Sequence, residues 1–263
     1  MSPTTAPTVV FVHAHPDDEA IFTGLTMRRV ADRGGRVILV TATAGEEGRP
    51  RIPLPRGLTV GARRLGELER SCRELNVHRL VLLGRRDSGM AGWPANGHRR
   101  ALHRSDVAAL SRRVAEVVAS EGASAVVHDD SGGIYGHPDH LAAHRIGAAA
   151  AALAGVSSYE TTVDRDHLNR VDRHVVSRAA GAGYDGVGRT RDEIGLALEG
   201  TGAELAAKSA AMAAHASQID PALLDPVTFG EVYGTEWFTR TRGPAVLEHL
   251  AADHRSPRVA VRA

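Results

Sequence analysis

Cysteine occurs once in these 263 residues, at Cys72, so no intramolecular disulfide holds the chain together. Aromatic residues make up only 4%, too few for a surface that stacks single-stranded nucleic acid. No apolar run approaches the roughly 20 residues of a membrane span, and Met1 to Thr8 lacks the charged and apolar parts of a signal peptide. Excess charge is missing as well. With 32 basic against 31 acidic residues the net charge is +1, so no overall field draws the chain to nucleic acid or membranes. The basic groups at Arg49 to Arg56 and Arg99 to Arg104 are short and broken, and read as solvated loops. The expectation is a cytoplasmic protein, alone or as a homo-oligomer, whose partner is a small molecule. Hydrophobic content of 43% over this length supports a sizeable core, in which Cys72 packs as a small apolar residue.

What is present is a succession of short β-branched runs separated by helical periods. Val9 to Val12 reads as a buried strand, with no polar alternation. A helix is expected over 19–34, with Phe22, Leu25, Thr26 and Val30 near helical spacing and Gly34-Gly35 as its stop. A second strand follows at 36–41. Strand, helix and strand in some thirty residues form a βαβ unit, which implies a parallel sheet and a right-handed crossover. Residues 42–60 are Gly-, Pro- and Arg-rich and read as a long loop. A helix over 61–75 places Leu65, Leu68, Cys72 and Leu75 on one stripe. A strand at 80–83, an irregular stretch over 84–100, a helix N-capped by Ser105 and running to about 120, a strand at 124–128 and an Ala-rich helix over 140–153 come next. Beyond these the pattern weakens to strands at 159–163 and 194–198, helices at 167–179, 204–217 and 245–252, and a last edge strand at 236–241. No repeat or linker divides the chain. Residues 1–263 read as one α/β domain, Rossmann-like and three-layered around a mostly parallel sheet, with a flexible tail from about 244.

Two polar clusters stand just past expected strands: His13-Ala14-His15-Pro16-Asp17-Asp18-Glu19 and Tyr135-Gly136-His137-Pro138-Asp139-His140. Sites in open parallel sheets form outside the carboxyl ends of the strands, where four polar loops converge here. Imidazole and carboxylate suit zinc, and three protein ligands with one open position make a catalytic site. His15 and Asp18 lie three apart across a strand-to-helix turn, and His140 supplies the third ligand. Pro16 sets the turn's φ. Asp17 is then left beside the metal, where it could take a proton from bound water, and Glu19 supports the turn or orients a ligand. Each member alone has a plainer account. Acids are common at helix starts because they meet free amides and the positive dipole end. His13, inside the strand end, reads as structural, and His144, one turn past His140, as support or helix surface. None of these accounts explains why His15-Pro16-Asp17-Asp18 and His137-Pro138-Asp139-His140 occur together, each after a strand. A nucleotide- or sugar-binding Rossmann domain without chemistry fits less well, because the first turn carries acids where a phosphate loop needs glycines.

Ala14-His15-Pro16-Asp17-Asp18-Glu19 with Gly136-His137-Pro138-Asp139-His140 resembles the PIG-L and LmbE-like superfamily of zinc-dependent deacetylases. Thr43-Ala44-Gly45-Glu46, Arg64 to Glu67, Arg86-Asp87-Ser88-Gly89-Met90, Lys208 and Ala214-His215-Ala216-Ser217-Gln218 extend the likeness from about Val9 to Phe238. His13-Ala14-His15 with Asp87-Ser88-Gly89-Met90 is most similar to the mycothiol branch, which holds the N-acetylglucosaminyl-inositol deacetylase and the mycothiol S-conjugate amidase. The resemblance implies zinc, or another divalent transition metal, on His15, Asp18 and His140, with Asp17 as general base. It places a protonated His137 and Tyr135 at the oxyanion, and Arg64 and Asp87 at a sugar or inositol hydroxyl. The implied reaction is hydrolysis of an N-acyl, foremost N-acetyl, amide on a glucosamine-type sugar or pseudodisaccharide. A mycothiol conjugate and a glycosylated natural-product intermediate are the alternative substrates. Two features depart from the family pattern. Asp129 to Ile134 stands where an Asn and one residue fewer are expected, which bears on where Tyr135 sits. Arg49 to Leu58 is basic and Pro-rich, unlike an inositol-binding loop.

Overall fold

Apolar runs without alternation become strands covered on both faces. The computed structural model describes residues 6–171, 173–180 and 186–252. Met1 to Thr5, part of the stretch read against a signal peptide, and the Arg- and Pro-bearing end past 252 lie outside the described residues. In chain order the first elements are β1 (Thr8–His13), α1 (Asp18–Phe22), α2 (Gly24–Asp32), β2 (Arg36–Thr43), α3 (Val60–Glu74) and β3 (Arg79–Arg85). After them come α4 (Val107–Ser120), β4 (Ala125–Asp129), the single turn α5 (Gly133–Gly136), α6 (Pro138–Ala154) and β5 (Ser157–Thr162). The last are α7 (Arg165–Arg170), α8 (Val175–Ala180), β6 (Leu196–Glu199), α9 (Gly202–Ala214), α10 (Phe229–Tyr233), β7 (Thr235–Arg242) and α11 (Leu247–Ala252).

Seven strands form one sheet in the order β3-β2-β1-β4-β5-β7-β6. The first five are parallel to one another, and β7 runs antiparallel to both β5 and β6. Val9, Phe11, Val37, Leu39 and Val127 face one core, closed by residues of α1, α2, α3 and α9. Val10, Val12, Ile38, Val40 and Val126 face the other, closed by α4 and α6. The result is the expected three-layer α/β fold with a mostly parallel sheet. No helix among the described residues is long and apolar enough to cross a membrane.

Several local expectations need correction. The helix over 19–34 is two helices, broken at Thr23 (φ −139°, ψ 9°). The Thr23 hydroxyl donates to the Glu19 carbonyl, and the Glu236 carboxylate accepts from the amides of Leu25 and Thr26 at 2.8 and 2.9 Å. A carboxylate from β7 therefore caps a new helix start, and Lys208 neutralises it at 2.7 Å. The cap of α4 is Asp106, which accepts from Ala109 N, and not Ser105. The helix over 167–179 is split into α7 and α8. The strand read as a last edge lies inside the sheet, and β6 forms the edge instead. Residues 244–252, read as the start of a flexible tail, are docked. Tyr159 Oη accepts from Val246 N at 2.7 Å, and Leu247 and Leu250 are buried.

Candidate active site

The winding of the sheet reverses between β1 and β4, which opens a crevice outside the carboxyl ends of these two strands. Both polar clusters emerge there. The turn after β1 is tight enough to put Asp17 at φ 112°, a conformation that favours glycine. Neighbouring side chains hold it in place. Glu19 accepts from Asp17 N at 2.9 Å, and Arg64 donates to the Pro16 carbonyl at 2.5 Å and to Asp17 Oδ1 at 3.0 Å. Glu19 is fixed in turn by Ser71 and by His215 Nε2 at 2.7 Å. Arg64 also donates to the Gly45 carbonyl, and a Cβ on Gly45 would lie 2.2 Å from that guanidinium, so only glycine fits there.

Below the turn, Asp18 sits between two imidazoles. Its carboxylate lies 3.6 Å from His15 Nδ1 and 3.7 Å from His140 Nε2, and accepts from His15 N at 2.8 Å. Each imidazole has a carboxylate on its far side: Asp129 Oδ2 at 2.8 Å from His140 Nδ1, and Asp139 Oδ2 at 3.3 Å from His15 Nε2. Asp87 is a further neighbour of His15 Nε2 at 3.6 Å. This is the donor chemistry of a zinc-type site, in which backing carboxylates fix the ring and raise the basicity of the ligating nitrogen. His15, His137 and His140 also offer nitrogens within 4.8 Å of one another, so Asp18 and His137 compete for the third ligand position.

The second wall is the segment after β4. Gly133 (φ 63°) and Ile134 (φ 61°) take consecutive left-handed conformations there. Asp130 stabilises them by accepting from the amides of Gly132 and Ile134 at 3.0 and 2.9 Å. Tyr135 Oη lies 3.5 Å from His140 Nε2. His137 caps α6, its Nδ1 accepting from Asp139 N at 3.1 Å.

Burial opposes charge on every group here, and the local mixture of signs decides which groups keep it. It drives His15 and His140 down, but the surrounding carboxylates, Asp87, Asp139 and Asp18 for His15 and Asp18 and Asp129 for His140, raise both. It would likewise raise Asp18, yet His140 and His15 hold that carboxyl well below its usual range. Asp17 keeps a net upward shift from burial, opposed by Arg64. His137 is pushed down to about 2 by burial and by the charges of His15 and His140. This favours the neutral imidazole over the protonated form implied by the resemblance. Because Nδ1 accepts a hydrogen bond, the proton stands on Nε2.

His15, Asp17, Asp18, Tyr135 and His137 line a cleft of about 340 Å³, and His140 is buried behind them. Arg64 and Asp87 line it too, but most of their polar atoms are engaged. Asp87 accepts from Gly89 N at 2.8 Å and Glu47 N at 3.2 Å, while Arg64 retains a buried, unpartnered Nε. His13 braces Asp129 from behind at 3.3 Å, in keeping with a structural role. His144 bonds the Asp129 carbonyl and faces Glu160, away from the cleft. Lys208, one of the likenesses noted in the sequence, belongs to the α2 cap. Asp129, Asp139 and Ser88 were not singled out beforehand. Ser88 N donates to Asp139 at 2.8 Å and its hydroxyl donates to the other oxygen, so the buried acid is fully partnered. Only the places of Asp139 beside His140 and of Ser88 beside Asp87 in the sequence hinted at this.

A family model described as GlcNAc-PI de-N-acetylase matches residues 10–151. The 1D-myo-inositol 2-acetamido-2-deoxy-alpha-D-glucopyranoside deacetylase of Thermomonospora curvata is 36% identical, over 91% of this chain and 93% of its own. The protein of that name from Salinispora arenicola is 38% identical, over 89% and 85%. The crystal structure of an A40926 pseudoaglycone deacetylase shares the fold, with a TM-score of 0.63 over 91% of this chain and all of that one, at 17% identity. With the family model spanning more than half of its length and relatives aligned nearly end to end, this chain belongs to the PIG-L family of GlcNAc-PI de-N-acetylases.

Proposed function

We propose that this protein hydrolyses the N-acetyl amide of a glucosamine-type sugar, using zinc or another divalent metal held by His15, Asp18 and His140. The observation that carries this is the buried Asp18 carboxylate between two imidazoles, each backed by its own carboxylate. The names of the relatives that align along nearly the whole chain support the substrate class. The position of all seven strands in one sheet supports a single catalytic domain. When bound, the metal supplies Lewis acidity, bringing the pKa of water toward ~7 and polarising the acyl carbonyl. Asp17, made more basic by burial and aimed by Arg64, takes the proton from the attacking water and returns it to the leaving amine. His137, through Nε2–H, and Tyr135, through its hydroxyl, donate to the carbonyl oxygen as it gains charge. Asp87 reaches the sugar side of the cleft, and Arg64 acts through Asp17.

The mouth of the cleft favours a second substrate within the same reaction. Met90, Trp93 and Val175 line it, with the Arg49 guanidinium 5.9 Å above the Trp93 ring. An apolar and basic rim suits a glucosaminide whose other half is larger or more acidic than inositol. Acetate release should be measured for N-acetylglucosaminyl-inositol, a mycothiol conjugate, free N-acetylglucosamine and glycosides with apolar or anionic aglycones. Release that stops on chelation and returns with zinc is expected for at least one of them. Metal-loaded protein that frees acetate from none would overturn the assignment.

A further inference from the structure

The Glu46-Glu47 segment separates the cleft from a second cavity of about 360 Å³ that the proposed reaction does not use. Arg85, Arg86, Arg99, Arg100 and His98 line this cavity against a single carboxylate, Glu46. Two of the arginines are occupied: Arg86 pairs with Glu47 at 2.9 Å, and Arg100 donates to the Gly84 carbonyl at 2.6 Å. The other two are not. Arg99 makes no ion pair among the described residues, and Arg85 Nε is buried without a hydrogen-bond partner. Glu46 cannot balance the set, because it is one carboxylate against four guanidiniums, and one of its oxygens also accepts from Asp87 N at 3.0 Å. A buried guanidinium N–H without a partner is expensive, and guanidiniums gathered round one acid repel one another. Both facts point to an anion as the missing partner.

We propose that this cavity binds an oxyanion of the phosphate or phosphate-monoester class, at a site separate from the cleft. Planar guanidinium forks match phosphate oxygens in pairs, and the volume admits a phosphate with a small organic group attached. The site is partly open to solvent through Arg99 and Arg100, so added chloride weakens binding.

The test is calorimetric titration of inorganic phosphate, and separately of glucose 6-phosphate, into full-length zinc-loaded protein at constant ionic strength. Saturable binding is expected, weakened about tenfold by Arg85→Gln and by Arg99→Gln, the loss that follows removal of one charge-assisted hydrogen bond. Far-UV circular dichroism and zinc content should match wild type in both variants, and Arg99→Gln, at an exposed side chain, keeps the test valid should Arg85→Gln misfold. His140→Ala should leave phosphate binding unchanged. Tighter binding of glucose 6-phosphate identifies an organic ester as the ligand, and tighter binding of inorganic phosphate identifies the free ion. No saturable binding, or binding that is lost with His140→Ala but kept in both arginine variants, overturns the proposal, the latter by placing the anion in the cleft.

Discussion

Asp17 and Asp18 are neighbours with the same side chain, and their surroundings give them opposite tendencies. Asp17 is raised by burial, with Arg64 and His215 opposing it, whereas Asp18 is held low between His140 and His15. One suits a proton acceptor and the other a permanent anion. Asp17→Asn should therefore keep metal, measured by elemental analysis, while acetate release falls by about 10²–10⁴. Asp18→Asn should empty the site. His137→Ala should keep the metal and slow turnover, because its imidazole is neutral and donates from Nε2. The converse pattern, metal lost with His137→Ala and retained with Asp18→Asn, would move His137 into the ligand set. The clusters were legible from sequence because their residues are contiguous. The neutral state of His137 was not, since it depends on the charges of His15 and His140 beside it and on an amide two residues ahead.

At the scale of elements, α6 carries both His137 and His140, and its distance from the sheet sets their position. Gly147 permits that distance: a Cβ there would lie 2.4 Å from the Cβ of His128 on β4. Helix propensity alone would favour alanine by ~1 kcal/mol. The clash should prevail, and Gly147→Ala is expected to destabilise by about 1–3 kcal/mol, read from the urea midpoint at unchanged m. The outer edge of the sheet is managed by similarly local means. On β3, Arg113 donates to the Leu82 and Leu83 carbonyls and Arg100 to that of Gly84, which blocks further strand pairing. Periodicity located these elements within a few residues. It failed at Thr23, where the signal for a break is Glu236, more than two hundred residues away.

For the whole molecule, acid is the informative stress. Arg29 is buried and pairs with Glu204 at 2.6 Å, while Glu204 also closes a capping box with Thr201 at the start of α9. Although burial opposes it, Arg29 and the Thr201 amide pull Glu204 down to about 2 from 4.5. A carboxyl lowered on folding stabilises fully above pH 4.5, and that contribution fades as pH falls toward 2. His128, whose Nδ1 donates to the Asp129 carbonyl, is buried neutral with its pKa near 4, so its contribution fades between pH 6.5 and 4. Melting temperature should fall in two stages below pH 6.5. Glu204→Gln should be less stable than wild type at neutral pH and should flatten only the lower stage. Equal pH slopes in the two proteins between 4.5 and 2 would rule out this pair as the cause.

The chain's own order of residues determined the strands, the βαβ winding and the turns that carry the proposed ligands. Burial on both sheet faces leaves uninterrupted apolar runs, and a strand-to-helix turn that binds metal must carry its ligands close together. Tertiary structure alone decided what stands behind those ligands. Asp139 reads as an ordinary acid at a helix start until α6 brings it to His15, 124 residues away, and Asp129 looks like a departure from pattern until it bonds His140 and His13. The place of β7 inside the sheet, the contact of Tyr135 with His140, and the arginine-lined cavity beside the cleft likewise arise only in space. Each depends on contacts between segments and on the balance of burial and charge around them, quantities that a local pattern of residues does not contain.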